Sequence, residues 1–101
     1  MDYNKFDAFI GEELLDARLD KRMTQETLTK LINYELIIKQ EIRKNGIARQ
    51  TYSNYENGIR SIPNDIFLCA CIALGIDPIK TFKKASDKYA KATIQSLKKG
   101  D

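Results

Sequence analysis

Gly46-Ile47-Ala48-Arg49-Gln50-Thr51-Tyr52-Ser53-Asn54-Tyr55-Glu56-Asn57-Gly58-Ile59-Arg60-Ser61-Ile62-Pro63 is the stretch whose reading decides the fold. Its middle reads as a short helix, with Tyr52 and Tyr55 on an apolar inner face and Arg49, Gln50, Ser53 and Asn54 on a polar outer one. Asn57-Gly58 ends that helix, because glycine supplies the positive φ of a left-handed cap. Arg, Gln and Asn can each make paired hydrogen bonds to base edges in a DNA major groove. Gathered on one exposed face, they suggest a recognition helix. A solvated face on an ordinary amphipathic helix fits the same residues, so the flanking segments must decide.

Upstream, Thr24 is placed to cap a second helix by accepting a bond from a free backbone N–H two or three residues on. Gln25 and Glu26 fill its first turn, where negative charge suits the helix dipole, and Leu28, Leu31 and Ile32 give it a core face. Earlier still, Phe6, Ile10, Leu14 and Ala17 recur every three or four residues, a first amphipathic helix. Downstream, residues 64–75 are apolar nearly all round, as in a buried helix with Asn64 as cap and Gly75 as stop. Asp77-Pro78 opens a fifth helix, with proline at the position where its missing N–H costs nothing. Five short helices predict a compact all-α domain.

In their order, Ile10-Gly11, Arg18, Thr24-Gln25-Glu26, Leu28, Ile47, Tyr52, Tyr55-Glu56-Asn57-Gly58, Arg60-Ser61 and Ala73-Leu74-Gly75-Ile76 resemble the helix-turn-helix family of phage Cro and CI repressors and the bacterial XRE-type regulators. The resemblance spans roughly residues 6 to 83 and implies a lambda-repressor-like, five-helix DNA-binding domain. It implies that Gln25 touches a phosphate at the start of helix 2, where free N–H groups favour anions. Arg49, Gln50 and Asn54, with help from Ser53, match the positions that meet bases and nearby phosphates, and Asn57 and Arg60 match the loop that grips the backbone. Arg18 and Glu56 match an ion pair that ties helix 1 to the end of helix 3 and shapes the domain without touching DNA. Two positions depart from the pattern. Ala48 stands where the family usually has a capping hydroxyl, and Ile59 where it often has a lysine.

The larger departure lies between helices 2 and 3, where the family has about four residues and residues 33–45 intervene here. A straight extension of helix 2 would carry the chain about 20 Å away at ~1.5 Å per residue. Tyr34, Ile38 and Ile42 recur every four residues, with Ile37 beside them, so a separate helical piece is expected, with breaks near Asn33 and at Asn45-Gly46. Such a piece is either a satellite of the core or a surface for a protein partner or a second copy. Beyond residue 85 the tail carries Tyr89, Ala90, Ile94 and Leu97 on one side and reads as a sixth helix, packed on the domain, packed on a second subunit, or frayed.

Composition narrows the function classes. The 101 residues suit one domain and are too few for two. The net charge of +3 is uneven: residues 1–42 carry −3 and residues 43–101 carry +6. The basic part holds the recognition candidate, which suits phosphate binding, although a lysine-rich tail produces part of the same asymmetry. The chain has no histidine, which removes the commonest acid–base group and metal ligand. Cys69 and Cys71, two apart in an apolar helix, make a poor metal site and read as small core residues. The carboxylates Glu12, Glu13, Asp16 and Asp20 read as a solvated face. No run of ~18 apolar residues could span a membrane, and Met1 to Phe6 lack a signal-like stretch, which predicts a cytoplasmic protein.

The expectation is therefore a non-enzymatic regulator, most simply a repressor, that binds double-stranded DNA without cofactor, metal or catalytic residues. Residues 1–85 would form the DNA-binding domain, with 33–45 inserted and 86–101 as a helical tail. A homodimer is expected, because one small helix-turn-helix unit covers few base pairs. Tyr34, Ile38 and Ile42 are the favoured dimer surface and the tail is the alternative. The rival expectation is an interaction module (antitoxin, anti-repressor or adaptor) on the same fold, with the insertion as its partner surface.

Overall fold

Residues 5–99 are described by a computed structural model of the chain, the side chains of Lys5 and Lys99 excepted. Among them, five α-helices follow in order: α1 (Lys5–Asp20), α2 (Gln25–Asn33), α3 (Arg49–Glu56), α4 (Asn64–Leu74) and α5 (Pro78–Lys99). There is no strand among the described residues. The start of α2 follows its local chemistry, since the Thr27 N–H donates to the Thr24 hydroxyl at 3.0 Å. Gly58 and Gly75 take φ values of +73° and +70°, so both turn the chain where a side chain would strain it. The Asp77 carboxylate accepts from the N–H groups of Ile79 and Lys80 at the head of α5. At the head of α4 the cap is Pro63 rather than Asn64, which already lies inside the helix. The Asp65 carboxylate serves that turn by accepting the Ile66 N–H.

The helices close on one core. α1 packs on α3, α4 and α5, while α2 packs on α3 and α4. Leu14, Leu28, Ile32, Leu36 and Tyr52 are fully buried at the centre. Each such side chain contributes about 1.5–3 kcal/mol relative to leaving it in water. Both cysteines are buried in α4, where removal from water pushes both thiols up, Cys71 to about 12. They stay protonated at neutral pH and pack as small apolar groups. α4 is not apolar-enclosed on every side, because Leu68 and Ile72 form an exposed stripe.

The insertion departs from expectation. No break occurs at Asn33, whose backbone stays helical; α2 instead runs on into a wider π-helical turn, Tyr34–Lys39. The chain reverses at Gln40–Glu41, with Glu41 at φ +49°, and the Leu36 carbonyl accepts the N–H groups of both Ile42 and Arg43. The reason lies in what Asn33 and Leu36 find in the fold. The Asn33 side-chain amide donates to the Ile47 carbonyl at 2.9 Å and accepts the Ile47 N–H at 2.8 Å. Gly46 is needed beside this clasp, because a Cβ there would collide with the Asn33 amide. A second tie, Arg43 to Asp65 with contacts of 2.6 and 3.0 Å, fastens the returning chain to α4. Leu36 completes the row Leu28, Ile32, Leu36, so the insertion is part of the core, while Tyr34, Ile38 and Ile42 remain about half exposed.

The tail is not a separate sixth helix. α5 runs unbroken through residue 85, held on α1 by buried Ala85 and by Lys88, which bridges Glu12 and Glu13 at 2.8 Å each. Glu12 and Glu13 therefore do more than meet solvent.

Two outcomes test this account. Asn33→Ala should leave the Ile47 backbone pair without its partners and lower stability by about 1–3 kcal/mol in urea unfolding, with the helical signal kept. A loss under ~0.5 kcal/mol would mean that water replaces the clasp. α3 begins at Ala48 in extended geometry with no side-chain cap, so Ala48→Thr should raise stability by about 1 kcal/mol. No gain in melting temperature would count against an open N-terminus there.

Candidate functional site

α3 has only eight residues, and an isolated helix of that length does not persist in water. Its position comes from the contacts underneath it. Tyr52 and Tyr55 are buried, and beneath them Glu56 joins three helices. Arg18 of α1 donates to both Glu56 oxygens, Nε to Oε2 at 2.9 Å and Nη2 to Oε1 at 2.8 Å. Gln25 of α2 donates its amide Nε2–H to Oε1 at 3.0 Å, and the Tyr52 hydroxyl donates to Oε2 at 2.8 Å. Arg18 also donates to the Met23 carbonyl at 2.8 Å, which ties in the link between α1 and α2.

The electrostatics follow from this geometry. Burial pushes the Glu56 carboxyl up, but the hydrogen bonds from Arg18, Gln25 and Tyr52, with the guanidinium charge, outweigh it and hold the carboxyl below its ordinary value. The Arg18 guanidinium is shifted up by the same bond. Burial, then the Glu56 charge, raises the Tyr52 phenol, so it stays a donor throughout the ordinary pH range. Sequence reasoning reaches neither the bond from Gln25 nor that from the Tyr52 hydroxyl. The i, i+4 spacing of Tyr52 and Glu56 was the available signal for the latter.

Above this node lies the polar face of α3. Arg49 and Gln50 are exposed, and Ser53 and Asn54 are half-buried. Gln50 Nε2 donates to Asn54 Oδ1 at 3.2 Å, and Asn57 Nδ2 to Ser53 Oγ at 3.3 Å. A carboxylate only accepts, so Gln25 must turn its NH2 group toward Glu56 and its oxygen outward. That oxygen accepts from Arg49 Nη1 at 3.4 Å. After Gly58 the chain folds back, and the N–H groups of Ile59 and Arg60 donate to the Asn54 carbonyl. This fold-back keeps the backbone of exposed Arg60 close to the end of α3. Thus Gln25, Arg49, Gln50, Ser53, Asn54, Asn57 and Arg60 are brought to α3 and its borders, and Arg18 with Glu56 lies beneath them.

Tyr34, Ile38 and Ile42 are exposed on the insertion and take no part in this arrangement. An open groove of about 480 Å³ lies elsewhere, between the end of α1 and the start of α5, lined by Asp16, Asp20, Lys21, Lys80 and Lys84 among others and by no α3 residue. Among the described residues, no three His, Cys, Asp or Glu side chains are grouped to hold a metal ion. No described helix is long and apolar enough to cross a membrane. Comparison with family models, curated proteins and solved structures finds no match to this chain.

Removing Glu56 leaves Arg18 half-buried without its counter-charge. Glu56→Ala should therefore cost about 3–5 kcal/mol, a large part of the ~5–15 kcal/mol total for a small domain; a melting temperature within a degree or two of wild type would contradict the buried pair. The folded carboxyl lies below its unfolded value, so its contribution is complete above the free glutamate range of about pH 4.3 and is lost as pH falls through the lower folded value. Urea midpoints measured down to pH 3 should fall more steeply for the wild type than for Glu56→Gln.

Proposed function

We propose that this chain is a sequence-specific double-stranded-DNA-binding protein, a transcriptional regulator and most simply a repressor, built on a lambda-repressor-like helix-turn-helix fold of the Cro/CI type. The observation that carries this reading is the face of α3, where Arg49, Gln50, Ser53 and Asn54 stand together above a rigidly tied carboxylate. In this reading α3 enters the major groove, and α2 crosses above it with its N-terminus toward a phosphate. Gln50, Asn54 and Arg49 read base edges, while Asn57 and Arg60 hold the backbone. Gln25 supports Arg49 and keeps one amide N–H for a phosphate, since its other is given to Glu56. The protein acts without cofactor or catalysis, in the cytoplasm. Arg18 and Glu56 shape the domain and stay off the DNA.

The exposure of Tyr34, Ile38 and Ile42 favours one second reading, an interaction module with the insertion as its partner surface. Retention of a few genomic fragments by the purified protein supports the regulator. Uniform weak retention, or none, favours the module.

Selection of bound sequences from a random DNA pool tests the main reading and reports site, symmetry and half-site spacing together. On the selected site, Gln50→Ala should cost about 1–3 kcal/mol and change binding to random DNA little. An equal loss on both would leave Gln50 as a backbone contact at most. Arg60→Ala should weaken all sequences alike and reduce the salt slope by about one.

A further inference from the structure

The chain returns from the insertion to α3 through residues 43–47, and both ends of that stretch are fastened. At one end Arg43 grips Asp65, at the head of α4, with contacts of 2.6 and 3.0 Å. At the other, the Asn33 amide holds both backbone groups of Ile47 at 2.9 and 2.8 Å. Lys44, Asn45 and Gly46 between them are exposed, and Gly46 lies against the Asn33 amide where a Cβ would not fit. Three residues from Ile47, Lys44 stays within ~11 Å of the clasp. The charges of the two adjacent cations meet different fates. The Arg43 guanidinium is neutralised by Asp65, whereas the Lys44 ammonium has no ion pair or hydrogen bond among the described residues.

Arg60, beyond the other end of α3, is likewise exposed and without an ion pair among the described residues. Each of these two cations stands on a fixed backbone. That of Arg60 donates to the Asn54 carbonyl at 3.3 Å, and that of Lys44 is strung between the ion pair and the clasp. The eight residues of α3 span about 12 Å at ~1.5 Å per residue. A B-DNA major groove is about 12 Å wide with a phosphate backbone along each wall, and one helix of ~10–12 Å diameter fills it. Chain running into and out of so short a helix therefore passes close to a wall at either end. Asn57 and Arg60 meet one such crossing in the regulator reading, and Lys44 stands at the other. An ammonium on a flexible four-carbon stem suits a phosphate there, as a point charge that needs no fixed geometry. Lys39, the insertion's other exposed lysine, precedes the reversal at Gln40–Glu41 and lies, along the chain, on the far side of the Arg43 tie.

We propose that the returning limb of the insertion is an arm of the DNA interface, with Lys44 bound to a backbone phosphate at the entry to α3, across from the phosphate held at Arg60. The inference rests on the regulator reading and gives the insertion a task within it. Lys44→Ala alters an exposed side chain, so melting temperature and helical spectrum should stay as in the wild type. Binding to the selected site and to random DNA should weaken alike, several-fold, and the slope of log affinity against log salt should become shallower by about 0.9. Lys44→Arg should restore both, and Lys44→Ala with Arg60→Ala should lower the slope by about twice as much, since the two phosphates differ. Lys39→Ala should leave the slope unchanged. Ethylation of single phosphates on the selected site locates the contact: one interfering position in each half-site should vanish in Lys44→Ala and persist in Arg60→Ala. An unchanged slope and interference pattern in Lys44→Ala, with the wild type still selecting its site, overturns the proposal and leaves the regulator reading standing. Equal losses in Lys39→Ala and Lys44→Ala, with no interfering phosphate lost, also overturn it, because the charge then acts at a distance rather than by contact. A wild type that binds no duplex removes both readings.

Discussion

The Glu56 carboxylate is the constraint on which the rest of the arrangement depends. A carboxylate removed from water is costly unless its lone pairs are filled by good donors, and here the donors come from three helices: Arg18 of α1, Gln25 of α2 and Tyr52 of α3. Apolar packing is tolerant of small sliding, whereas a forked guanidinium on a carboxylate is not. The node therefore adds a directional constraint on α3 relative to α1 and α2 to that of the packed core. It also removes a choice from Gln25, because the amide must give its NH2 inward and present its oxygen to Arg49. A side chain on the surface thereby inherits its orientation from a group inside.

The insertion has to enlarge the path between α2 and α3 without loosening the entry to α3. Loop closure alone is a small burden, since the entropy grows only with the logarithm of loop length. The harder requirement is to bring the chain back to one place. Asn33 does this by offering both faces of its amide to Ile47, and Arg43 adds a fixed point on α4. Between these ties Leu36 enters the core. Leu36 lies on the π-helical turn and at i+4 from Ile32, so it continues the buried row of Leu28 and Ile32. Entry to α3 is thus set by residues on either side of the excursion.

Features decided by neighbours along the chain are legible in the sequence itself: the cap at Thr24, the stops at Gly58 and Gly75, the cap at Asp77, and the apolar faces of α1 and α3. The polar face of α3 is legible for the same reason, as helical spacing alone groups its residues. Asn33 misleads because an asparagine that breaks a helix and one that clasps a returning segment look alike until the acceptor at Ile47 is in place. The division between the fifth helix and the tail fails similarly. The i,i+4 contact of Lys83 with Asp87 spans Ser86 without a break, and Lys88 on the α1 carboxylates ties the continuing helix to α1. The Arg18–Glu56 contact, 38 residues apart, follows from the family resemblance but not from periodicity.

The two layers of polar contact around α3 differ in a way that bears on use. Below the helix, the bonds to Glu56 run from 2.8 to 3.0 Å among groups shielded from water. On the outer face, the bonds linking Arg49 to Gln25, Gln50 to Asn54 and Asn57 to Ser53 run from 3.2 to 3.4 Å. The outer set lies toward the long end of hydrogen-bond geometry, and its groups are wet. Exchanging such bonds for shorter ones with an incoming partner sacrifices little, and the charged Arg49 gains most where the partner is anionic. The inner set cannot be exchanged without leaving a charge unpaired. A firm base below and loosely satisfied donors and acceptors above are what a polar recognition surface requires: the frame keeps its shape while the contacts change hands.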